Sequence, residues 1–245
     1  MAIYGFLYLP VLLLVIYSVN SSRFSLQWQG FSTRWYWELI EDRALWEALI
    51  HSIVLGVLAA LIATGLSVLA SVRIFLFKRK QWQCLHTGSL LLIIIPDLVM
   101  GVALLLFFHL GQLPLGFCSL LIAHITFCIP FVVITLNARL EMLDANIYYS
   151  ALDLGATHLQ ALRKVFLPLL WPAILSAGLL AFTLSFDDVI VSYFVAGPDF
   201  SVLPLVIYSL VRVGVTPELN ALCTLTLAFS MCLVLLAQGF ARKSA

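Results

Sequence analysis

The sequence predicts an all-α membrane protein of six transmembrane helices joined by short connections. Hydrophobic residues make up 63% of the 245-residue chain and charged residues only 10%, whereas ordinary soluble domains contain about 25% charged residues. A transmembrane helix needs roughly 20 consecutive apolar residues. Windows of that length occur at about 2–19, 47–72, 86–109, 117–138, 166–194 and 219–240. We therefore expect one transmembrane domain over residues 1–245 and no soluble domain.

Each of the first three spans has a sequence feature that bears on its role. Span one has no basic segment before it and no small-residue cleavage site after it, which favours a retained helix over a removed signal peptide. Span two holds small residues at helical spacing, which let helices approach closely in a bilayer, namely Gly56, Ala60, Ala63 and Ser67. Span three contains Asp97, roughly 15 Å along the helix and directly after Pro96. A charge at the bilayer centre costs about 2.5–3.5 kcal/mol, so Asp97 should face a cavity or partner, or cap the helix half beyond Pro96.

A polar segment at 139–165 separates spans four and five and is predicted to form two helices joined by a glycine turn. Residues 142–154 favour a helix, and Gly155 supplies the backbone freedom that a turn or C-terminal cap requires. Thr157 and Gln160 form the capping-box pattern that opens a second helix. Apolar residues recur at helical spacing in that helix, at Leu159, Leu162 and Phe166. We expect it to run on directly into span five.

Two adjacent carboxylates, Asp187 and Asp188, lie toward the outer end of span five, roughly 28 Å along the helix from Pro168. Adjacent carboxylates repel each other, and a cationic guest would relieve that repulsion. We expect at least one of the acids Asp97, Asp187 and Asp188 to line a route for a cation, because an acidic outer site and an acidic mid-membrane site would suit stepwise passage. The alternative is that Ser185 and Asp187 cap a short outer helix.

The basic residues predict which connections face the cytoplasm. Nine lie between spans two and three, between spans four and five, or after span six: Arg73, Lys78, Arg79, Lys80, Arg139, Arg163, Lys164, Arg242 and Lys243. The other connections carry only Arg23, Arg34, Arg43 and Arg212. The positive-inside rule therefore places both termini and segment 139–165 in the cytoplasm. The net charge of +1 argues against a nucleic-acid partner.

The polar segment resembles the coupling motif of ABC importer permeases, which is E-A-A-x-x-x-G followed by an apolar stretch and L-P. The residues that match its D-L-G-A and L-P parts are Ala151, Asp153, Leu154, Gly155, Ala156, Leu167 and Pro168. The family's leading glutamate falls at Tyr149 and its first alanine at Ser150, so this copy departs from the pattern. Five further strings resemble, within that family, the permeases of spermidine/putrescine importers: Asn20–Phe24, Pro96–Asp97, His124–Cys128 with Pro130, Ser185–Asp188 and Val213–Glu218.

This resemblance implies a MetI-like permease subunit in a bacterial inner membrane, with a cytoplasmic coupling helix between spans four and five. It implies import of polyamines by a complex in which cytoplasmic ATPase subunits dock on the coupling segment. A second homologous permease subunit would supply the other half of the pore, and a periplasmic substrate-binding protein would deliver the substrate. In the family, the leading glutamate helps to seat the coupling helix in the ATPase cleft.

Several other classes of function are disfavoured. The chain has no G-x-x-x-x-G-K-[ST], G-x-S-x-G or H-E-x-x-H motif, so we expect no enzyme activity, no cofactor and a separate ATPase. The three histidines near or inside spans (His51, His109 and His124) lack metal-binding partners at helical spacing, so we expect them to have packing roles. No cysteines form C-x-x-C pairs, so we expect the cysteines to pack as small hydrophobic residues. An ion-coupled secondary transporter of a cationic solute stays open as the alternative, because it also uses intramembrane acids.

Overall fold

The computed structural model describes residues 2–22, 27–77, 79–214 and 216–243. Apart from one isolated β-bridge between Asn20 and Phe31, the regular structure of these residues is helical. Some residues used in the sequence analysis lie outside the described residues: Arg23, Phe24, Lys78 and Val215, and the side chains of Arg79, Lys80, Arg242 and Lys243.

The helices follow one another with short breaks. In chain order they are α1 (Ala2–Tyr17), α2 (Arg34–Glu41), α3 (Arg43–Phe77), α4 (Arg79–Ile94), α5 (Asp97–Leu110), α6 (Phe117–Leu140), α7 (Asn146–Asp153), α8 (His158–Ala161), a π-helical turn (Leu162–Phe166), α9 (Leu167–Asp187), α10 (Ile190–Val195), α11 (Leu203–Val213) and α12 (Pro217–Lys243). The chain divides into two compact units, one built on the residues up to Ile53 with Ser201–Gln238 and the other on Val54–Phe200.

The first unit contains helices that the sequence analysis missed. Segment 20–46, predicted as a connection, contains α2, and α11 lies where only turns were expected. The side chain of Asn20 is fully buried, and its amide oxygen accepts the N–H of Gln29 at 3.0 Å. The indole of Trp35 donates to the Asn20 carbonyl at 2.7 Å, which holds α2 against this turn. Both helices were missed because they are short and amphipathic, whereas the search was for long apolar windows.

The second unit has its core where α3, α6 and α9 meet. Its buried residues are mostly small: Ala60, Ala63, Cys128, Val132, Leu136, Ala177 and Ala181. Close approach leaves so little room that a Cβ added to Gly56 would lie 3.1 Å from the ring of Phe182. The expected role of the small residues in span two as packing positions is confirmed.

Three helical segments among the described residues are long and apolar enough to cross a membrane: Arg43–Leu76, Phe117–Leu140 and His158–Asp187. A fourth candidate is the pair Gln81–Ile94 and Asp97–Leu110, which is bent by 102° at the break. Span three, predicted over 86–109, therefore consists of two helices, with the separate helix half beyond Pro96 that the sequence analysis left open. Pro96 lacks a backbone N–H and disfavours helical geometry in the residue before it, so the helix ends at Ile94 and restarts at Asp97.

Span five also departs from its predicted bounds. The helix ends at Asp187, and α10 begins only at Ile190, so residues 166–194 do not form one helix. At its N-terminal end, span five is longer than predicted, because the helical segment starts at His158 and includes the second helix of the polar segment. The predicted continuity between that helix and span five is confirmed.

Candidate functional site: the elbow and the acid-lined cavity

The polar segment forms a sharp elbow, which comprises α7, the Gly155 turn and α8. Helix α7 starts at Asn146, later than the predicted 142, because Asp144 accepts the Asn146 N–H at 2.8 Å in a turn. After α7 ends, Gly155 has φ +90° and donates to the Leu152 carbonyl at 2.8 Å. The N–H of Ala156 reaches the Ala151 carbonyl at 3.0 Å. This pair of hydrogen bonds is a Schellman motif, for which a left-handed glycine is the usual residue.

The second arm of the elbow opens with a capping box, as predicted. Thr157 accepts the N–H of Gln160 at 3.3 Å, and the Gln160 side chain accepts the N–H of Thr157 at 3.0 Å. The π-helical turn follows, in which the Leu167 N–H donates to the Leu162 carbonyl. The turn immediately precedes Pro168, whose nitrogen carries no hydrogen and cannot continue the regular pattern.

Aromatic side chains fix the elbow to the helices around it. Tyr148 is 2% exposed, packs against Phe166 and makes a 2.8 Å hydrogen bond to His158 Nδ1. Burial, and to a smaller degree the neighbouring Tyr149, raise the pKa of Tyr148, so its hydroxyl stays protonated in this contact. The hydroxyl of Tyr149, the residue at the family's glutamate position, donates to the Leu76 carbonyl of α3 at 2.8 Å.

The residues that match the coupling motif divide into a packed set and an exposed set. Ala151, Ala156 and Leu167 are half-buried, while Asp153, Gly155 and Pro168 are exposed. Leu154, at the tip of the elbow, is 90% exposed. The predicted apolar face of the second arm needs one correction, because Leu159 is exposed and Ala161 takes the buried position beside Phe166.

The three acids predicted for a cation route line one cavity of about 430 Å³. Its wall comprises Asp97, Phe127, Phe131, Leu180, Thr183, Leu184, Asp187, Asp188, Val189 and Ile190. The sequence analysis expected an outer and a mid-membrane acidic site, whereas the bend at Pro96 and the end of α9 bring Asp97 and the Asp187–Asp188 pair to the same cavity. Carboxylates beside aromatic rings can bind organic cations through charge and cation–π contacts. Whether these acids contact a substrate stays a prediction.

Asp188 has a second role, which the sequence analysis assigned to the wrong residues. Its carboxylate accepts the N–H groups of Val191 at 3.2 Å and Ser192 at 2.7 Å, and so caps α10. The sequence alternative named Ser185 and Asp187 as the caps. Instead, Ser185 hydrogen-bonds His124, and Asp187 is exposed.

His124 was expected to pack in isolation, but it is the centre of a buried polar cluster. It is 1% exposed on α6 and contacts Ser185 Oγ at 2.6 Å through Nδ1 and Ser192 Oγ at 3.1 Å through Nε2. Its Nε2 also lies 3.7 Å from Asp188 Oδ2. The partners lie 61 to 68 residues away along the chain, so no local pattern could have revealed them. Among the described residues, no group of histidine, cysteine and acidic side chains could hold a metal ion.

The sequence of this chain is similar to those of known membrane transport proteins. A family model described as "Binding-protein-dependent transport system inner membrane component" matches residues 52–243. The spermidine/putrescine transport system permease protein PotC of Escherichia coli K12 is 46% identical over 241 residues, which cover 98% of this chain and 91% of that protein. The putrescine transport system permease protein PotI of the same strain is 42% identical over 234 residues, with coverage of 91% and 82%.

Solved structures share the fold at low sequence identity. An inward-facing form of the MetNI methionine ABC transporter matches 88% of this chain and 100% of its own with a TM-score of 0.67 and 18% identity. A bacterial ABC transporter that imports the acidic polysaccharide alginate matches 99% of this chain and 93% of its own with a TM-score of 0.66 and 20% identity. The expected all-helical, MetI-like permease fold is confirmed.

Proposed function

The chain belongs to the family of binding-protein-dependent transport system inner membrane components, and we propose that it forms half of the pore of an ATP-driven polyamine importer. The other half is a distinct homologous permease subunit. Two cytoplasmic ATPase subunits hydrolyse ATP below the pore, and a periplasmic binding protein delivers the substrate from outside. This chain is not itself an enzyme and needs no cofactor. The names of its relatives, PotC and PotI, support this assignment.

Spermidine and putrescine are the proposed substrates because the cavity suits flexible chains that carry separated ammonium groups. Three carboxylates are available on its wall, at Asp97, Asp187 and Asp188. The rings of Phe127 and Phe131 lie on the same wall and suit the methylene segments between charges. Because Asp188 already accepts two backbone N–H groups, Asp97 and Asp187 are the carboxylates more available to a guest.

The proposed topology is one permease domain of six spans with both termini in the cytoplasm. In this arrangement α4 and α5 together make the third span, α12 makes the sixth, and segment 139–165 is the cytoplasmic coupling segment. The basic residues of that segment that the structure describes are solvent-accessible: Arg139, Arg163 and Lys164. This distribution supports the orientation through the positive-inside rule.

The single observation that carries the proposed mechanism is the continuous helical segment His158–Asp187. One of its ends forms the second arm of the elbow, and its other end carries Asp187 into the cavity wall. An ATPase that pushed on the elbow would therefore tilt the helix that forms this wall. Leu154, exposed at the tip of the elbow, offers the ATPase an apolar contact.

The docking claim can be tested by site-specific crosslinking in the assembled transporter. With the five native cysteines replaced, a bifunctional thiol reagent should join Cys at position 154 (Leu154→Cys) to the ATPase. The control is Val213→Cys, which is 88% exposed but lies in the connection assigned to the outer side. Crosslinking of the ATPase through position 213 rather than 154 would contradict both the docking site and the orientation.

Transport by reconstituted vesicles separates the importer from the ion-coupled alternative. The purified assembly should import radiolabelled putrescine or spermidine only with ATP and the binding protein present, and a protonophore should leave the rate unchanged. An ion-coupled carrier would instead transport without the ATPase and would stop when the ion gradient collapsed. Polyamine movement by this chain alone, driven by a proton gradient, would refute the proposal.

A further inference from the structure

The buried imidazole of His124 connects three helices at the back of the cavity wall. It projects from α6, contacts Ser185 near the end of α9 at 2.6 Å, and contacts Ser192 in α10 at 3.1 Å. Both serines are themselves buried, at 4% and 0% exposure. Between them in the chain stand Asp187 and Asp188, the adjacent carboxylates of the cavity.

The groups around this imidazole favour one of its two tautomers. Nε2 faces Asp188 Oδ2 at 3.7 Å as well as the Ser192 hydroxyl. A bare nitrogen lone pair would be repelled by the carboxylate, whereas an Nε2–H is attracted to it. The Ser192 hydroxyl, which also bonds the Asp188 side chain, can accept from Nε2–H and donate to the carboxylate. Nδ1 is then an acceptor, and Ser185 Oγ–H donates to it.

We propose that His124 is the positioning residue of the acid pair: its Nε2–H holds Ser192, and through it Asp188 at the start of α10, against α6, and Asp187 is thereby left to face the cavity. The two neighbouring carboxylates differ accordingly, because Asp188 has a side chain only 10% exposed and Asp187 is exposed. Without the imidazole, the hydrogen bond from α6 to Ser192 is lost. The first turn of α10 then shifts together with Asp188, which caps it, and Asp188 competes with Asp187 for the guest. This inference rests on the proposed function as a cation importer.

Two conservative substitutions separate the contacts of the two ring nitrogens. In His124→Gln the amide nitrogen falls near the position of Nε2, and in His124→Asn it falls near that of Nδ1. His124→Leu keeps much of the volume and loses both contacts. If the Nε2–H is decisive, His124→Gln retains transport within about threefold of the native protein, while His124→Asn and His124→Leu lower it roughly 10- to 100-fold, as expected when a buried polar group is left without its hydrogen-bond partner.

The readout that distinguishes positioning from general loss of structure is the number of polyamine molecules imported per ATP hydrolysed. With a misplaced carboxylate, the reconstituted transporter continues to hydrolyse ATP in response to loaded binding protein but imports less putrescine per ATP. A merely structural defect lowers both rates together through loss of assembled complex. Equal defects in the Gln and Asn variants, or a native ratio in His124→Leu, would overturn the inference. If the native assembly itself imports no polyamine, that result contradicts the proposed function, whereas the role of His124 is judged by the variants.

A spectroscopic measurement tests the tautomer without any transport. Nitrogen-15 NMR of the histidine-labelled protein, with the signal assigned by its loss in His124→Gln, should show a protonated Nε2 and a bare Nδ1. A protonated Nδ1 with a bare Nε2 would overturn the assignment, whatever the substrate proves to be.

Discussion

Replacement of Gly155 should uncouple ATP hydrolysis from transport, because this residue shapes the elbow through its backbone alone. Its φ of +90° lies in the left-handed region, and a Cβ added there would meet no atom within 4 Å. The cost of a side chain is therefore conformational and not steric. A residue with a Cβ costs roughly 1–2 kcal/mol in this region, which lowers the population of the native turn about 5- to 30-fold. A β-branched residue should cost at least as much.

The assay compares Gly155→Val with Gly155→Asn and a matched control. Asparagine tolerates the left-handed conformation, so Gly155→Asn should keep most of the polyamine uptake, whereas Gly155→Val should lower it at least about 5- to 30-fold. Gly65→Val places the same side chain at an exposed helical position of α3 where a Cβ also meets no atom within 4 Å, and it should transport normally. Membrane insertion of all three is checked on blots of membrane fractions. Full uptake by an inserted Gly155→Val protein would refute the coupling role of the elbow.

The other predictions concern the cavity and the elbow. Asp97→Asn and Asp187→Asn should each lower polyamine import roughly 10- to 100-fold, because an ionic hydrogen bond is lost, while the ATPase still co-purifies; native import rates in both variants would exclude the acids from the route. Thr157→Ala should lower the free energy of unfolding by about 1 kcal/mol through loss of the helix cap, which is measured as a lower melting temperature of the purified assembly. Thr157→Ser should leave that temperature unchanged. Tyr149→Phe removes the hydrogen bond to α3 and should cost about 1 kcal/mol in the same assay; an unchanged melting temperature would show that this contact contributes nothing.

Features that depend on near neighbours in the chain were predictable. The left-handed glycine, the capping box of Thr157 and Gln160, and the helix that continues into span five all follow from residues within a few positions of one another. The choice of Asp97, Asp187 and Asp188 also came from the sequence, because charges in apolar spans are costly and therefore conspicuous. The directions in which these side chains point and the residues that they contact could not be predicted from the sequence.

Features that depend on distant residues were not predictable. Pro96 indicated a disturbance in span three, but the 102° bend depends on what α4 and α5 pack against. His124 lacks any partner at helical spacing, and its two serines are supplied by other helices. The short amphipathic helices α2 and α11 were missed because a search for membrane spans detects long apolar segments. It does not detect short helices that are apolar on one face only.

The sequence by itself determined that this protein enters a membrane, which residues form the elbow, and which charges the membrane segments carry, because composition and local hydrogen bonding are written in consecutive residues. Only the tertiary structure decided that Asp97 shares one cavity with the Asp187–Asp188 pair and that Asp188 rather than Asp187 caps α10. The physical reason is that a bend or a helix end moves a side chain by many ångströms, and the position at which it stops is chosen by packing between helices that are far apart in the chain.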